Sequence, residues 1–158
     1  MKTILGIDPG NIQSGWVRVS LKTGEILGSG VTRNEFILES FKEGGDEDVA
    51  IEWIQAMGMA VGQEVFQTCL WAGIFTREAQ RNSSLVRLIP RGLIKLHHCQ
   101  SARAKDANII QALKDKYGDK GTKGDPGFFY GVSSHAWQAF AVAAYCIEGA
   151  RSDKEIHL

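Results

Sequence analysis

Three residues of the sequence could hold a divalent cation: two acids that end or interrupt apolar stretches, and one histidine that precedes another. Asp8 ends the apolar run 4–7 and precedes a Pro-Gly turn, and Glu52 is the lone acid within 49–54. A buried carboxylate is costly unless a cation or a basic group meets it. His135 opens an Ala/Val-rich segment. Carboxylate oxygens suit Mg²⁺ or Mn²⁺, and imidazole nitrogen is a further metal ligand. The alternatives are that Asp8 caps a turn and that His135 caps or packs a helix.

The elements that must position these residues are strands alternating with helices. Hydrophobic period and turn residues predict strands at 3–8, 14–20, 25–32, 49–54 and 85–89. Helices are predicted at 34–42, 61–81, 93–98, 102–117 and 133–145, the last one with a serine N-cap. Three sequential strands followed by strand–helix alternation predict an α/β fold, a five-stranded mixed sheet flanked by helices. The ends of the first and fourth strands then converge, and His135 enters in the first turn of the last helix.

Helical spacing also predicts which faces are buried. In the first predicted helix, the residues expected to face inward are Phe36, Ile37 and Phe41. In the second they are Val65, Phe66, Cys69, Leu70, Gly73 and Ile74. In the fourth they are Ala104, Ala107, Ile110, Leu113 and Tyr117.

Length and composition indicate one globular domain, 1–150, with a C-terminal tail at 151–158. The three cysteines are widely spaced and form no Cys-x-x-Cys pair, so a disulfide framework or zinc knuckle is not expected and a reducing compartment is. No stretch has the length of a signal peptide's apolar core or a membrane span. We therefore expect a cytoplasmic protein without a membrane partner.

The net charge of zero hides a basic segment. Between Arg77 and Lys123 there are eleven Lys and Arg against four Asp and Glu. Such segregation predicts a basic surface that binds along the phosphates of a nucleic acid. The alternative is a chance excess of basic residues on a solvated surface. The predicted DNA-binding residues are Arg91, Lys95, Arg103, Lys105, Lys114, Lys116, Lys120 and Lys123.

Two further groups of residues have a structural interpretation that we favour. His97 and His98 are adjacent on a predicted helix and so are not expected to face one shared metal. The aromatic run 128–130 is interpreted as core packing rather than base stacking.

Three motifs together resemble the RuvC-type Holliday-junction resolvases, and specifically their phage-encoded branch. They are Gly6-Ile7-Asp8-Pro9-Gly10 with Ser14-Gly15, then Ala50-Ile51-Glu52, then Ser134-His135-Ala136-Trp137-Gln138-Ala139. The resemblance implies a ribonuclease H-like fold and a homodimer that nicks four-way DNA junctions symmetrically. It also implies two Mg²⁺ or Mn²⁺ ions per active site, held by Asp8, Glu52 and His135, and the cytoplasm of a bacterial host as the location.

The sequence departs from the family pattern at several positions. Gln138 stands where the family usually has a fourth acid, and Asp106 is the candidate to replace it. Lys105 stands one place before the family's catalytic lysine, and could still reach a phosphate. Gln55 stands where an aromatic is common. Trp53, Met57 and Met59 are the candidates to replace that aromatic.

Two other functions stay open at this point. A junction-binding protein with little catalysis would also have this fold, and Gln138 favours it. An actin-like nucleotide-binding protein also opens with a Gly-Ile-Asp-x-Gly turn, but it needs a second phosphate-binding turn and about twice the length.

Overall fold

The computed structural model describes residues 1–43, 45–56, 58–83 and 85–158. Five strands form one mixed sheet in the order β3-β2-β1-β4-β5. They are β1 (Thr3–Asp8), β2 (Gln13–Ser20), β3 (Ile26–Arg33), β4 (Glu47–Trp53) and β5 (Leu85–Pro90). β1 pairs antiparallel with β2 and β2 with β3, while β4 pairs parallel with both β1 and β5. The predicted α/β fold with a five-stranded mixed sheet is therefore confirmed.

Five helices cover the two faces of the sheet. They are α1 (Asn34–Phe41), α2 (Gln63–Asn82), α3 (Arg91–Cys99), α4 (Asp106–Tyr117) and α5 (Ala136–Ile147). One core contains the buried side chains of α3, α4 and α5, and the other contains those of α1 and α2. Within the described residues, no helix combines the length and apolar character needed to cross a membrane.

Helix α5 lies unusually close to the sheet because two glycines make room for it. A Cβ added at Gly6 in β1 would lie 2.2 Å from the carbonyl oxygen of Ala139. A Cβ added at Gly15 in β2 would lie 2.4 Å from the carbonyl oxygen of His135. Side chains at these positions would push α5 away from the strands, so the two glycines set the height of His135 above Asp8.

The predicted inward face of α2 is wrong. Phe66 and Leu70 are 60% and 64% exposed, and the helix instead buries Thr68, Ala72, Phe75, Thr76 and Ala79. The two threonine hydroxyls donate to the carbonyl oxygens four residues earlier, at 2.9 and 2.7 Å, so they are buried without a lost hydrogen bond. The buried face of α2 therefore combines small side chains with one large ring, that of Phe75, which is fully buried.

Two other faces and one helix start also differ from the predictions. Phe36 is 62% exposed, although Ile37 and Phe41 of α1 are buried as expected. Helix α4 begins at Asp106 rather than 102, because the Lys105 N–H donates to the Asn108 side chain at 2.9 Å and fixes the helix start there. Of the predicted inward positions in α4, Leu113 is buried, Ile110 and Tyr117 are half-buried and Ala107 is exposed, while Ile109 is buried in addition.

The aromatic run 128–130 packs, as predicted, at its first two positions. Phe129 is fully buried, and its ring lies 4.9 Å from that of Phe140, edge to face.

The tail at 151–158 lies along β5, where the Ile156 N–H donates to the Leu88 carbonyl at 3.0 Å. Arg87 also binds the Glu155 carboxylate with two hydrogen bonds, at 3.0 and 2.9 Å.

Candidate active site

Asp8 and Glu52 lie side by side at one end of the sheet. Asp8 is the last residue of β1 and Glu52 is the sixth of the seven residues of β4. The parallel register pairs Ile7 with Ile51, so the next residue of each strand is at the same level. Asp8 is 8% exposed and Glu52 is 4% exposed. The predicted convergence of these two carboxylates is what the structure contains.

The pairing of two buried acids changes the protonation of Glu52. Burial, and then the neighbouring Asp8 carboxylate, raise the pKa of Glu52 well above its ordinary value, and Arg91 opposes the rise. Two carboxylates this close cannot both ionise without a compensating positive charge. The pair is therefore a place where a cation would be held strongly and would release a proton on binding.

His135 reaches this pair from the start of α5. Its Nδ1 lies 2.9 Å from Asp8 Oδ2, and its side chain is 69% exposed. The hydrogen bond to Asp8 raises the pKa of His135, while partial burial opposes the rise. Helix α5 begins at Ala136 with no side-chain cap, so the expected serine cap and first-turn position of His135 are corrected. As the residue before the first turn, His135 can direct its ring at Asp8.

Asp106 and Arg91 complete the charged lining. Arg91 opens α3 and Asp106 opens α4, and the guanidinium contacts the Asp106 carboxylate through Nη2. Arg91 Nε lies 3.7 Å from Glu52 Oε1. Burial lowers the pKa of Arg91, but Glu52 and Asp106 outweigh it and hold that pKa above its ordinary value. Arg91 thus joins the two acids and partly offsets their charge.

These side chains line one cleft of about 170 Å³. The lining residues are Asp8, Pro9, Gly10, Gln13, Glu52, Ile54, Thr68, Ala72, Arg91, Asp106 and His135. Three carboxylates and an imidazole are donors that fit Mg²⁺ or Mn²⁺. The starts of α3, α4 and α5 all lie at this cleft, and the positive ends of their dipoles favour anionic groups.

Gln138 does not line the cleft. It is the third residue of α5 and is 6% exposed, among the buried residues of that helix. The third carboxylate of the cleft comes from Asp106, the residue that sequence reasoning named as a substitute. Gln55, at the other departure from the family pattern, accepts a hydrogen bond from the Gly92 N–H at 2.8 Å and so holds the start of α3 beside the cleft.

The three residues that could replace an aromatic at Gln55 have different positions. Trp53 packs partly buried against the core of α1 and α2, and Met59 is 79% exposed. Met57 lies outside the described residues.

The predicted DNA-binding residues are not equally available. Four of them are exposed: Arg103, Lys105, Lys116 and Lys123. Lys114 pairs with Asp119 at 3.4 Å and lies 5.8 Å from the centre of the Trp137 ring. Lys116 contacts the Glu148 carboxylate. Arg91 lies in the cleft itself, so a phosphate at the carboxylates would meet it first.

Sequence reasoning missed a buried polar network beneath the cleft. The Ser14 hydroxyl donates to Asn34 Oδ1 at 2.6 Å and accepts from the Gly10 N–H at 3.0 Å. The Asn34 amide donates back to the Gly10 carbonyl at 2.9 Å. These bonds fix the turn that follows Asp8. Ser14 was visible only as part of the first motif, and nothing in the sequence connects it with Asn34, twenty residues away.

Solved structures with the same architecture exist. No known protein family and no curated protein matches the sequence. The Thermus thermophilus RuvC structure has a TM-score of 0.67 and 20% identity, covering 94% of this chain and 97% of that one. T. thermophilus RuvC in complex with Holliday junction substrate has a TM-score of 0.66 and 20% identity, covering 93% and 96%. The chain has the fold of RuvC. The fold implied by the three motifs is thereby confirmed over nearly the whole length.

Proposed function

We propose that this protein is a RuvC-like, structure-selective DNA endonuclease that cleaves four-way junctions and other branched DNA in recombination or replication. The observation that carries the proposal is the buried Asp8–Glu52 pair at the end of a RuvC-like sheet. Asp106 and His135 add donors to the same cleft. One of the similar structures is RuvC bound to a Holliday junction, which supports branched DNA as the substrate class. A phage origin and action in the bacterial cytoplasm are parts of this proposal.

The proposed cofactor is Mg²⁺ or Mn²⁺, two ions per site, held by Asp8, Glu52 and His135 with Asp106 as a further ligand. When bound, such ions activate a water molecule and stabilise the charge that develops on the scissile phosphate. The side chains of the cleft also hold one another in position. Asp8 accepts the hydrogen bond that orients His135. Arg91 orients Asp106 and offers a positive charge to a phosphate oxygen.

Two symmetric nicks in one junction need two active sites, and this chain contains one such cleft among its described residues. We therefore propose a homodimer. The exposed Phe66 and Leu70 of α2 offer an apolar surface for a second copy, on the helix whose Thr68 and Ala72 line the cleft. Replacing Phe66 and Leu70 by Asp should give a monomer in light scattering, with nicks on single strands instead of paired cuts. A dimer that survives both substitutions would place the interface elsewhere.

The decisive experiment is cleavage of a synthetic four-way junction with Mg²⁺ or Mn²⁺, with linear duplex of the same sequence as control. Paired nicks in opposing strands of the junction, and none in the duplex, are expected. Binding without nicks in either metal would refute the enzyme. Binding should weaken steeply with salt, because the basic segment releases counterions from phosphates.

A junction-binding protein with weak catalysis is the second candidate, and Gln138 is the observation that favours it. Under this alternative, Gln138→Asp raises cleavage by restoring an acid, and Gln138→Asn does not. Under the main proposal Asp106 already supplies that acid, so Gln138→Asp leaves cleavage unimproved.

A further inference from the structure

A second group of metal-ligating side chains lies where α3, α4 and α5 end. His97 and His98 are in the last turn of α3, and Glu148 is the C-cap residue of α5. Their ligand atoms all lie within 4.8 Å of one another. His97 Nε2 is 3.5 Å from Glu148 Oε1, and His98 Nδ1 is 4.0 Å from Glu148 Oε2. Adjacency along α3 therefore does not separate the two rings, contrary to the expectation from sequence.

The hydrogen bonds of His98 leave one ring nitrogen free for a cation. Its Nε2 lies 2.8 Å from the Ala141 carbonyl oxygen. A carbonyl only accepts, so Nε2 carries the proton and Nδ1 presents a lone pair toward Glu148. Burial lowers the pKa of His98 to about 4, so the ring is neutral at physiological pH. Metal-binding histidines usually donate their other N–H to a carbonyl or carboxylate in this way.

His97 contributes a nitrogen that has no hydrogen-bond partner. Its Nε2 is buried and makes no hydrogen bond. Burial, and then the nearby Lys116 charge, lower the pKa of His97, so this ring is also neutral. The ring packs edge to face on Tyr145 at 5.3 Å and on His98 at 4.8 Å, which holds it in place. A buried, unsatisfied nitrogen costs stability unless something binds to it.

The surroundings of the cluster favour a positive ion. Three helix C-termini end here, and each carries partial negative charge. The Tyr117 hydroxyl donates to Glu148 Oε2 at 3.1 Å and so fixes the carboxylate. Lys116 contacts the other oxygen, but its side chain is 55% exposed and can turn out to solvent. Lys116 thus provides a counter-charge that a bound cation would replace.

We propose that His97, His98 and Glu148 form a binding site for a transition-metal cation of the Zn²⁺ class, with water as the fourth ligand. Two imidazole nitrogens and one carboxylate suit Zn²⁺ and are poor ligands for Mg²⁺. The ion would join the end of α3 to the end of α5, at the opposite end of these helices from the acidic cleft.

Zinc titration by calorimetry tests the site, in the Asp8→Asn protein with excess Mg²⁺ so that the cleft does not take up zinc. One Zn²⁺ per chain is expected. His98→Asn and Glu148→Gln should weaken binding by at least about tenfold, the lower end of the cost of losing a single supporting group. His157→Asn, in the tail, is the matched control and should bind as before. Ligand variants that bind zinc like the control would refute the proposal.

Two measurements keep the test valid if a ligand variant folds poorly. Crystals of the unmodified protein grown with Zn²⁺ should show an anomalous peak between His97 Nε2, His98 Nδ1 and Glu148, and a peak only at the cleft would overturn the proposal. Lys116→Gln should tighten zinc binding by roughly three- to tenfold, because a competing cation is removed close to the site. Unchanged or weaker binding in that variant, with the control Lys154→Gln unchanged, would count against it.

Discussion

The two ends of helices α3, α4 and α5 contrast in chemistry. Their first residues meet at a cleft where three carboxylates face one arginine, and the pKa of Glu52 is raised by burial and by Asp8. Their last residues meet at a cluster of two neutral histidines and one carboxylate. Among the residues that the structure describes, the histidine cluster is the group of three metal-ligating side chains whose ligand atoms all lie within 4.8 Å of one another.

The difference shows how one set of helices can support two kinds of site. The N-terminal ends carry partial positive charge, which favours anionic groups, while the acids there need hard cations. The C-terminal ends favour cations directly, and the neutral imidazoles select softer ones. Helix α5 has twelve residues and so spans about 18 Å, which is far enough for the two ends to respond independently.

The largest effect is expected from Asp8→Asn. This change removes one of the paired carboxylates, and junction cleavage should fall by roughly 10²–10³-fold or more, the scale of losing a main source of charge stabilisation. Junction binding should persist, because a negative charge is removed from a phosphate-binding cleft. Asp153→Asn, in the exposed tail, should cleave normally. Loss of binding together with cleavage would mean that Asp8 holds the fold rather than the chemistry.

Asp106→Asn should have a smaller but clear effect. Asp106 is half exposed and contacts Arg91, so the change removes one acid and frees the guanidinium that Asp106 orients. We expect cleavage to fall about 10- to 100-fold, as for other groups that support a metal site. Single-turnover assays at rising Mn²⁺ should recover part of the loss. Cleavage equal to the unmodified protein would remove Asp106 from the site.

Glu52→Gln should stabilise the metal-free protein at neutral pH. A carboxyl whose folded pKa is raised binds its proton more tightly when folded, so its contribution to stability is lost as pH rises from about 4.5 through the folded pKa. Glutamine has no such loss. In chelator, the free energy of unfolding of this variant should exceed that of the unmodified protein by ~0.5–2 kcal/mol at neutral pH.

The same difference should shrink as pH falls toward 4.5 and vanish well below it, where Glu52 is protonated in both states. Urea unfolding at a series of pH values measures it. The exposed Glu64→Gln should stay within about 0.5 kcal/mol throughout. If the Glu52→Gln protein is less stable at every pH, then the ionised Glu52 carboxylate does not destabilise the folded protein, and the prediction is wrong.

The smallest effect concerns the independence of the two ends. His97→Asn removes a ligand of the histidine cluster, so zinc binding there should be lost. Cleavage in Mg²⁺ should change by less than about twofold, since distant sites are usually additive within about 0.5 kcal/mol. Cleavage rates with and without added Zn²⁺ measure this directly. A large loss of cleavage in Mg²⁺ alone would show that the two ends of the helices do not act independently.

The sequence by itself determined the strands, the existence of the helices and the two acids in apolar strands, Asp8 and Glu52, that could lie side by side. Local patterns suffice for these, because alternation predicts strands and a lone acid in an apolar run stands out, whereas the pairing of β1 with β4 is decided by the sheet. The position of His135 near these acids could be predicted because His135 stands at the start of the last helix. The motifs that resemble RuvC lie on these same elements, which is why the fold could be expected before the structure.

Tertiary structure decided which face each helix buries and which distant side chains meet. Helix α2 shows the reason: Phe66 and Leu70 point outward although the equally large Phe75 is fully buried, so the face that meets the sheet is not the one that apolar spacing selects. Arg91 meets Asp106, and the histidines of α3 meet Glu148, only because three helices are packed side by side. Periodicity is a property of one helix alone, whereas these contacts depend on how far and at what angle its neighbours lie.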